Sequence, residues 1–178
     1  HKFGVHQRLS LAQKANKTPH QLVMTATPIP RSLTMSAYAD LDTSVIDELP
    51  PGRHKIKTVA LSNNRRDELI EKIKRISHEG RQIYWVCTLI EESEALRAES
   101  AENTFNYLSS NLEGIRVVMI HGRLTKSEKE EIMKDFAEGR IDLLVATTVI
   151  EVGVNVPNAS LMIVENAERL GLAQLHQL

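Results

Sequence analysis

Three features of the chain predict an α/β fold built on a parallel sheet with helices on both faces. From residue 65 onward, short continuous apolar runs alternate with stretches of helical periodicity. Strands that read as unbroken apolar runs belong to sheets buried on both sides, and their alternation with helices makes the sheet parallel. Several of these runs also end in hydroxyl or His-Gly residues, where an ordinary strand end carries Gly, Asp or Asn. The composition supports a core: 42% of the 178 residues are hydrophobic and 25% charged, and with 4% aromatic that core is aliphatic. The length suits one large domain, or one domain with part of another.

The elements follow in order. A helix is predicted over residues 6–15 and a short apolar strand over 21–26, which Pro28 and Pro30 prevent from continuing. Residues 31–39 form a helix with proline just before it, and 48–53, with Pro50, Pro51 and Gly52, form a stiff linker. Residues 55–61 alternate polar and apolar as a half-buried edge strand would. A helix over 65–79 places Leu69, Ile70, Ile73 and Ile76 on one face and stops at Gly80. Strand 83–87 precedes helix 94–108, whose inward face carries Leu96, Ala101, Phe105 and Leu108. Strand 117–120 runs into His121-Gly122, and Thr125 with Glu128 then makes a capping box. The helix it opens turns Ile132, Met133 and Phe136 inward and ends at Gly139. Strands 143–146 and 161–164 complete the set. Residues 55–178 can bury their own core, whereas 1–49, with one strand and two helices, need neighbours and read as the end of a preceding domain.

Net charge is −1, from 22 basic and 23 acidic residues, so no global field gathers nucleic acid and any such binding needs a local patch. The single cysteine, Cys87, leaves no internal disulfide, fits a reducing compartment and, inside a strand, is inert. No apolar run approaches the ~20 residues of a membrane span. The start without methionine and the stop within GLAQLHQL predict a piece of a longer protein.

Four strand ends carry the chemistry: Thr25-Ala26-Thr27, Thr88, His121-Gly122-Arg123 and Thr147-Thr148. Crossovers of one hand put the last three on one rim, at the carboxyl ends of strands, where open α/β sheets bind ligands. Short hydroxyls and backbone amides there suit phosphate oxygens. A lone threonine is merely a good strand residue; four such ends together favour phosphate. Glu151, in an apolar turn, is either a bridge to a basic group or nucleotide or a solvated glutamate. Asn155, before Val156-Pro157, either meets a ribose or simply favours the turn. His1, His6, His121 and His176 lack zinc-ligand spacing. Trp85 and Tyr84 read as core, and Arg65, Arg66 and Lys72 to Arg75, interspersed with Asp67, Glu68 and Glu71, as a solvated helix face.

Taken together, TATPIPR at 25–31, YWVCTLIEES at 84–93, His121-Gly122-Arg123, VATTVIEVGVNVPNAS at 145–160 and QLHQL at 174–178 resemble, in order, the motor of the RecG family of DNA helicases. The likeness covers essentially the whole chain, and its motifs are long and collinear. It implies a RecA-like second motor domain over 55–178, a linker at 50–54 and the end of a first RecA-like domain over 1–49. It further implies an ATP-driven double-strand DNA translocase that remodels stalled replication forks and recombination intermediates, acting in the bacterial cytoplasm with ATP and Mg²⁺. Alternatives are a transcription-repair coupling translocase and a non-catalytic RecA-like module that binds DNA or protein.

By this resemblance, Thr25, Ala26, Thr27 and Arg31 couple nucleotide state to DNA, and Thr88, His121, Gly122, Arg123, Thr147 and Thr148 contact DNA. Glu151, Gly153, Asn155, Gln174 and His176 face the ATP cleft, with Asn155 where many relatives have Asp. His1 matches the last residue of an Asp-Glu-x-His box. The acids that hold Mg²⁺ and the phosphate loop would precede this chain, and the arginine fingers would follow it. The 178 residues alone are then expected to be inactive, since a finger by itself is worth roughly 10³–10⁵ in rate.

Overall fold

The computed structural model describes residues 20, 22, 24, 44–46, 48, 55–88, 94–147 and 156–178; for 94–98, 173, 176 and 177 it describes the backbone only. The chain divides into one unit of Lys55–Gly171 and another of His1–His54 with Leu172–Leu178.

In the first unit a 3-10 turn, Asn63–Arg65, leads into α1 (Arg66–His78). Then follow β1 (Gln82–Cys87), α2 (Glu94–Asn111), β2 (Val117–Ile120), α3 (Lys126–Ala137), β3 (Leu143–Thr147) and β4 (Ala159–Glu165). The four strands form one sheet in the order β2-β3-β1-β4, and every neighbouring pair is parallel. The central strands β1 and β3 are buried at every position, as their apolar runs require.

The period of two sorts their side chains onto two faces. Ile83, Trp85, Cys87, Leu143 and Val145 pack under α1 (Ile70, Ile73), α2 (Ala101, Leu108) and Leu112 just after it. Tyr84, Leu144 and Ala146 pack against α3 through Met133 and Phe136. The Tyr84 and Phe136 rings meet edge to face, 4.7 Å between centroids. The expected α/β architecture, with helices on both faces, is therefore the observed one.

Local signals set the element ends. Gly80 and Gly139 adopt φ of +74° and +76°, the left-handed conformation that glycine enters without steric cost just past a helix. Thr125 caps α3 as a true capping box: its hydroxyl accepts from the Glu128 amide while Glu128 accepts from the Thr125 amide.

Two expectations need correction. Residues 55–61 form no strand, and Ile56, Val59 and Leu61 are exposed. The reason lies in the alternation, which slips by one residue. Ile56 shares a face with Thr58 and Ala60, while Val59 and Leu61 share theirs with Lys57, so neither face is apolar throughout. The second correction concerns Arg66, which is not part of a solvated helix face and is taken up below. Arg65 and Lys74 do sit at the surface, paired with Glu68 and Glu71.

The second unit contributes α4 (Leu172–Gln177). The elements expected over 6–15, 21–26 and 31–39 fall almost entirely outside the described residues, as does most of the linker.

Candidate functional site

Strand register decides which residues share the carboxyl rim. Cys87 pairs with Thr147 on one side and with Glu165 on the other, and Ile120 pairs with Ala146. Thr88, His121, Thr147 and Glu165 therefore end neighbouring strands at one edge of the sheet, as expected for the first three.

What each presents to solvent differs. The Thr88 side chain is 1% exposed, and its hydroxyl donates to the backbone carbonyls of Glu165 and Asn166, 2.8 Å to the latter. One hydrogen is thus shared by two acceptors, and the group ties β1 to the end of β4 rather than facing outward. Thr147 is buried as well. The solvent-facing chemistry of the rim is the turn after β2, where His121 and Gly122 are half-buried and Arg123 is exposed. His121 Nδ1 accepts from the Arg123 amide at 3.3 Å, and Lys129 Nζ donates to the Gly122 carbonyl at 2.9 Å. Lys129, one turn into α3, thereby fixes this turn and adds a cation beside it. A fixed turn with half-buried His121 and Lys129 beside an exposed Arg123 side chain is suited to oxyanions such as backbone phosphates.

At the other side of the rim lies a cluster that sequence reasoning missed. The Glu165 carboxylate accepts from Arg66 Nη1 at 2.6 Å, from Trp85 Nε1 at 3.0 Å and from Thr104 Oγ1 at 3.3 Å, with Cys87 Sγ at 3.9 Å. The Arg66 guanidinium stands 5.3 Å from the Trp85 ring centroid and 4.7 Å from that of Tyr107. Trp85 is core, as expected, yet its indole N–H serves this carboxylate. Burial first, and the Glu165 charge second, push the Cys87 thiol up to about 12, so it stays a protonated, inert packing group. The available signal was a single acid closing the apolar run 161–164, but its partners lie 61 to 99 residues away.

Thr25, Ala26, Thr27, Arg31, Thr148, Glu151, Gly153, Asn155 and His1 lie outside the described residues. Gln174 sits exposed on α4, and His176 is described there by its backbone alone. Among the described residues no group of three or more His, Cys, Asp or Glu could hold a metal ion.

A parallel sheet covered by helices on both faces, with ligand-facing groups at its carboxyl rim, is the architecture of the RecA-like α/β domains. Residues 60–178 match the helicase conserved C-terminal domain family, and the chain belongs to that family. Along its whole length it is 61% identical to the ATP-dependent DNA helicase RecG of Escherichia coli K12 and 62% identical to that of Pasteurella multocida. It is 49% identical to RecG of Thermotoga maritima. The chain spans about a quarter of these relatives, 26%, 26% and 23% of their lengths. Among solved structures, RecG bound to a three-way DNA junction superposes with a TM-score of 0.70 at 41% identity, over 92% of this chain and 22% of that one.

Proposed function

We propose that the chain is the second motor domain, with the end of the first, of an ATP-dependent double-strand DNA translocase that remodels stalled forks and recombination intermediates. The observation that carries this is the end-to-end likeness to RecG at 61% identity, joined to a rim whose exposed chemistry is the His121-Gly122-Arg123 turn. In this reading residues 1–49 and 55–178 are parts of two RecA-like domains joined by 50–54, and the protein works on branched DNA in the cytoplasm. ATP and Mg²⁺ serve the complete cleft, to which Glu151, Gly153, Asn155, Gln174, His176 and the box ending at His1 contribute. Thr25, Ala26, Thr27 and Arg31 couple that cleft to DNA.

The rim divides its labour. Arg123 and its neighbours His121 and Gly122 meet DNA phosphates directly. Thr147, buried at the end of β3, and Thr88 act mainly by setting the shape of the rim from beneath, and Thr148 joins the DNA contacts. A basic side chain on a phosphate raises affinity for any sequence and does so less at high salt.

The test is ATP turnover by the full-length protein with forked duplex DNA and Mg²⁺. DNA-stimulated phosphate release is expected there and not from the 178-residue chain, which carries no G-x-x-x-x-G-K-[ST] loop. Arg123→Ala should weaken binding across sequences alike and lower the slope of log affinity against log salt by about 1. A full-length protein whose turnover ignores DNA would defeat the proposal.

A further inference from the structure

Glu165 joins more of the unit than any other described side chain outside the apolar core. Its carboxylate takes donors from the first residue of α1 (Arg66), from β1 (Trp85) and from α2 (Thr104). Its own backbone carbonyl takes the Thr88 hydroxyl. Next to it, Asn166 is held at φ 52°, ψ 47°, the left-handed region that non-glycine residues seldom occupy, before the 3-10 turn Ala167–Arg169. Thr88 holds that residue too, through its carbonyl. The exit of β4 is thus clamped from its side chain and from its main chain at once.

Packing does not require this. A fifth aliphatic residue after Leu161, Met162, Ile163 and Val164 would continue the apolar run, and a part-buried ion pair seldom stabilises more than well-packed apolar side chains do. Arg66 is an expensive partner besides, since its Nε is buried with no hydrogen-bond partner among the described residues. Direction is what the arrangement supplies. A planar guanidinium wedged between two rings and aimed at one carboxylate fixes an angle that aliphatic contacts leave soft.

We propose that the Arg66–Glu165 pair, with Trp85, Thr104 and Thr88, is a positioning latch that makes α1, α2 and the carboxyl ends of the paired strands β1 and β4 move as one body, so that DNA contact at the rim reaches the turn running from Asn166 to Arg169. This rests on the function proposed above, which gives the rim to DNA and Gln174 and His176 to nucleotide. The latch residues act through their neighbours in that scheme, Thr88 included, whose hydroxyl is spent on the Glu165 and Asn166 carbonyls.

The experiment uses the full-length protein with ATP, Mg²⁺ and forked duplex DNA, comparing wild type with Glu165→Gln, Arg66→Gln, Thr88→Val and Thr88→Ser. Arg116→Gln, which breaks an exposed pair with Asp142 at the opposite end of the sheet, is the control. In Glu165→Gln, Arg66→Gln and Thr88→Val, kcat at saturating DNA should fall about tenfold, while ATP KM and the DNA half-saturation point stay within about threefold. Thr88→Ser, which keeps the donor, should restore the stimulation lost in Thr88→Val, and Arg116→Gln should leave kcat as it was. Loss of DNA affinity in step with kcat would make these ligand-contact residues and overturn the latch. So would full stimulation in Glu165→Gln and Arg66→Gln, or an equal kcat loss in Arg116→Gln. Wild-type turnover that ignores DNA would instead defeat the underlying function, and the latch with it.

Discussion

The two ends of the sheet use polar side chains for different purposes. At the amino end, the buried Gln82 amide donates to the carbonyls of Phe136 and Ile141. Arg116 reaches Gly139 O at 2.8 Å and holds Asp142, and Asn158 Nδ2 donates to Gly80 O at 2.7 Å. Most of these acceptors are carbonyls left over where a helix stops and a turn starts. The amino end therefore chiefly completes backbone hydrogen bonding, with one largely exposed ion pair, Arg116–Asp142, beside it. At the carboxyl end the main partner is a carboxylate, Glu165, which no leftover backbone group calls for. Stability explains the first set of contacts. The second requires a further reason, and the ligand-facing side of α/β sheets supplies one.

A matched pair of substitutions breaks the comparison most sharply. Glu165→Leu removes the partner of Arg66 and the acceptor of Trp85 together. We expect a loss of about 2–3 kcal/mol by denaturant unfolding, below the ~3–5 for a fully buried pair because the Arg66 side chain is 35% exposed. Adding Arg66→Met removes the stranded cation and should return much of that loss, which a double-mutant cycle would register as strong coupling. If the double variant is as unstable as the sum of the singles, the two residues act independently and the carboxyl end is no different in kind from the amino end.

Gln82→Leu is the counterpart at the amino end, with a smaller expected effect of about 1–2 kcal/mol, the cost of the Ile141 and Phe136 carbonyls losing the Gln82 amide while Phe136 O keeps the Gly139 amide. Here no second side-chain change should rescue, because the partners are main chain. A compensating substitution on α3 that recovered stability would show the contrast between the ends to be wrong.

Much of this unit was legible in the sequence because its signals are local. Gly80 and Gly139 stop helices, the Thr125 and Glu128 spacing writes a capping box, and unbroken runs such as 143–146 mark central strands. Residues 55–61 misled because their alternation changes phase between Thr58 and Val59, and a pattern of period two cannot bury a face across such a slip. The rim was placed correctly at Thr88, His121 and Thr147 by strand ends alone. Which groups on it face solvent was not legible: a threonine after a strand looks the same in sequence whether its hydroxyl points outward or holds the Glu165 carbonyl. Arg66 carried the opposite error. Set among Asp67, Glu68 and Glu71 it resembles a surface residue, and only the fold brings Glu165, Trp85 and Tyr107 around it.

The smallest effect expected is electrostatic and lies at the amino end. The Arg116 side chain, donating from Nε and Nη2, holds the Asp142 carboxyl below the usual carboxylate range; partial burial opposes this, and the Arg116 amide adds to it. A carboxylate whose folded pKa is depressed binds fewer protons folded than unfolded. Its stabilisation is therefore complete above the unfolded value and drains away as pH falls through the folded one. Compared with Asp142→Asn, the wild-type chain should keep a constant margin near neutral pH and lose it steadily below about pH 4. Salt should shrink the margin at neutral pH as well, because Arg116 is 56% exposed and its charge is screened. A margin that instead grew on acidification would mean that Asp142 is the more basic carboxyl in the folded state, and the amino end could no longer be described as hydrogen bonding that merely finishes the backbone.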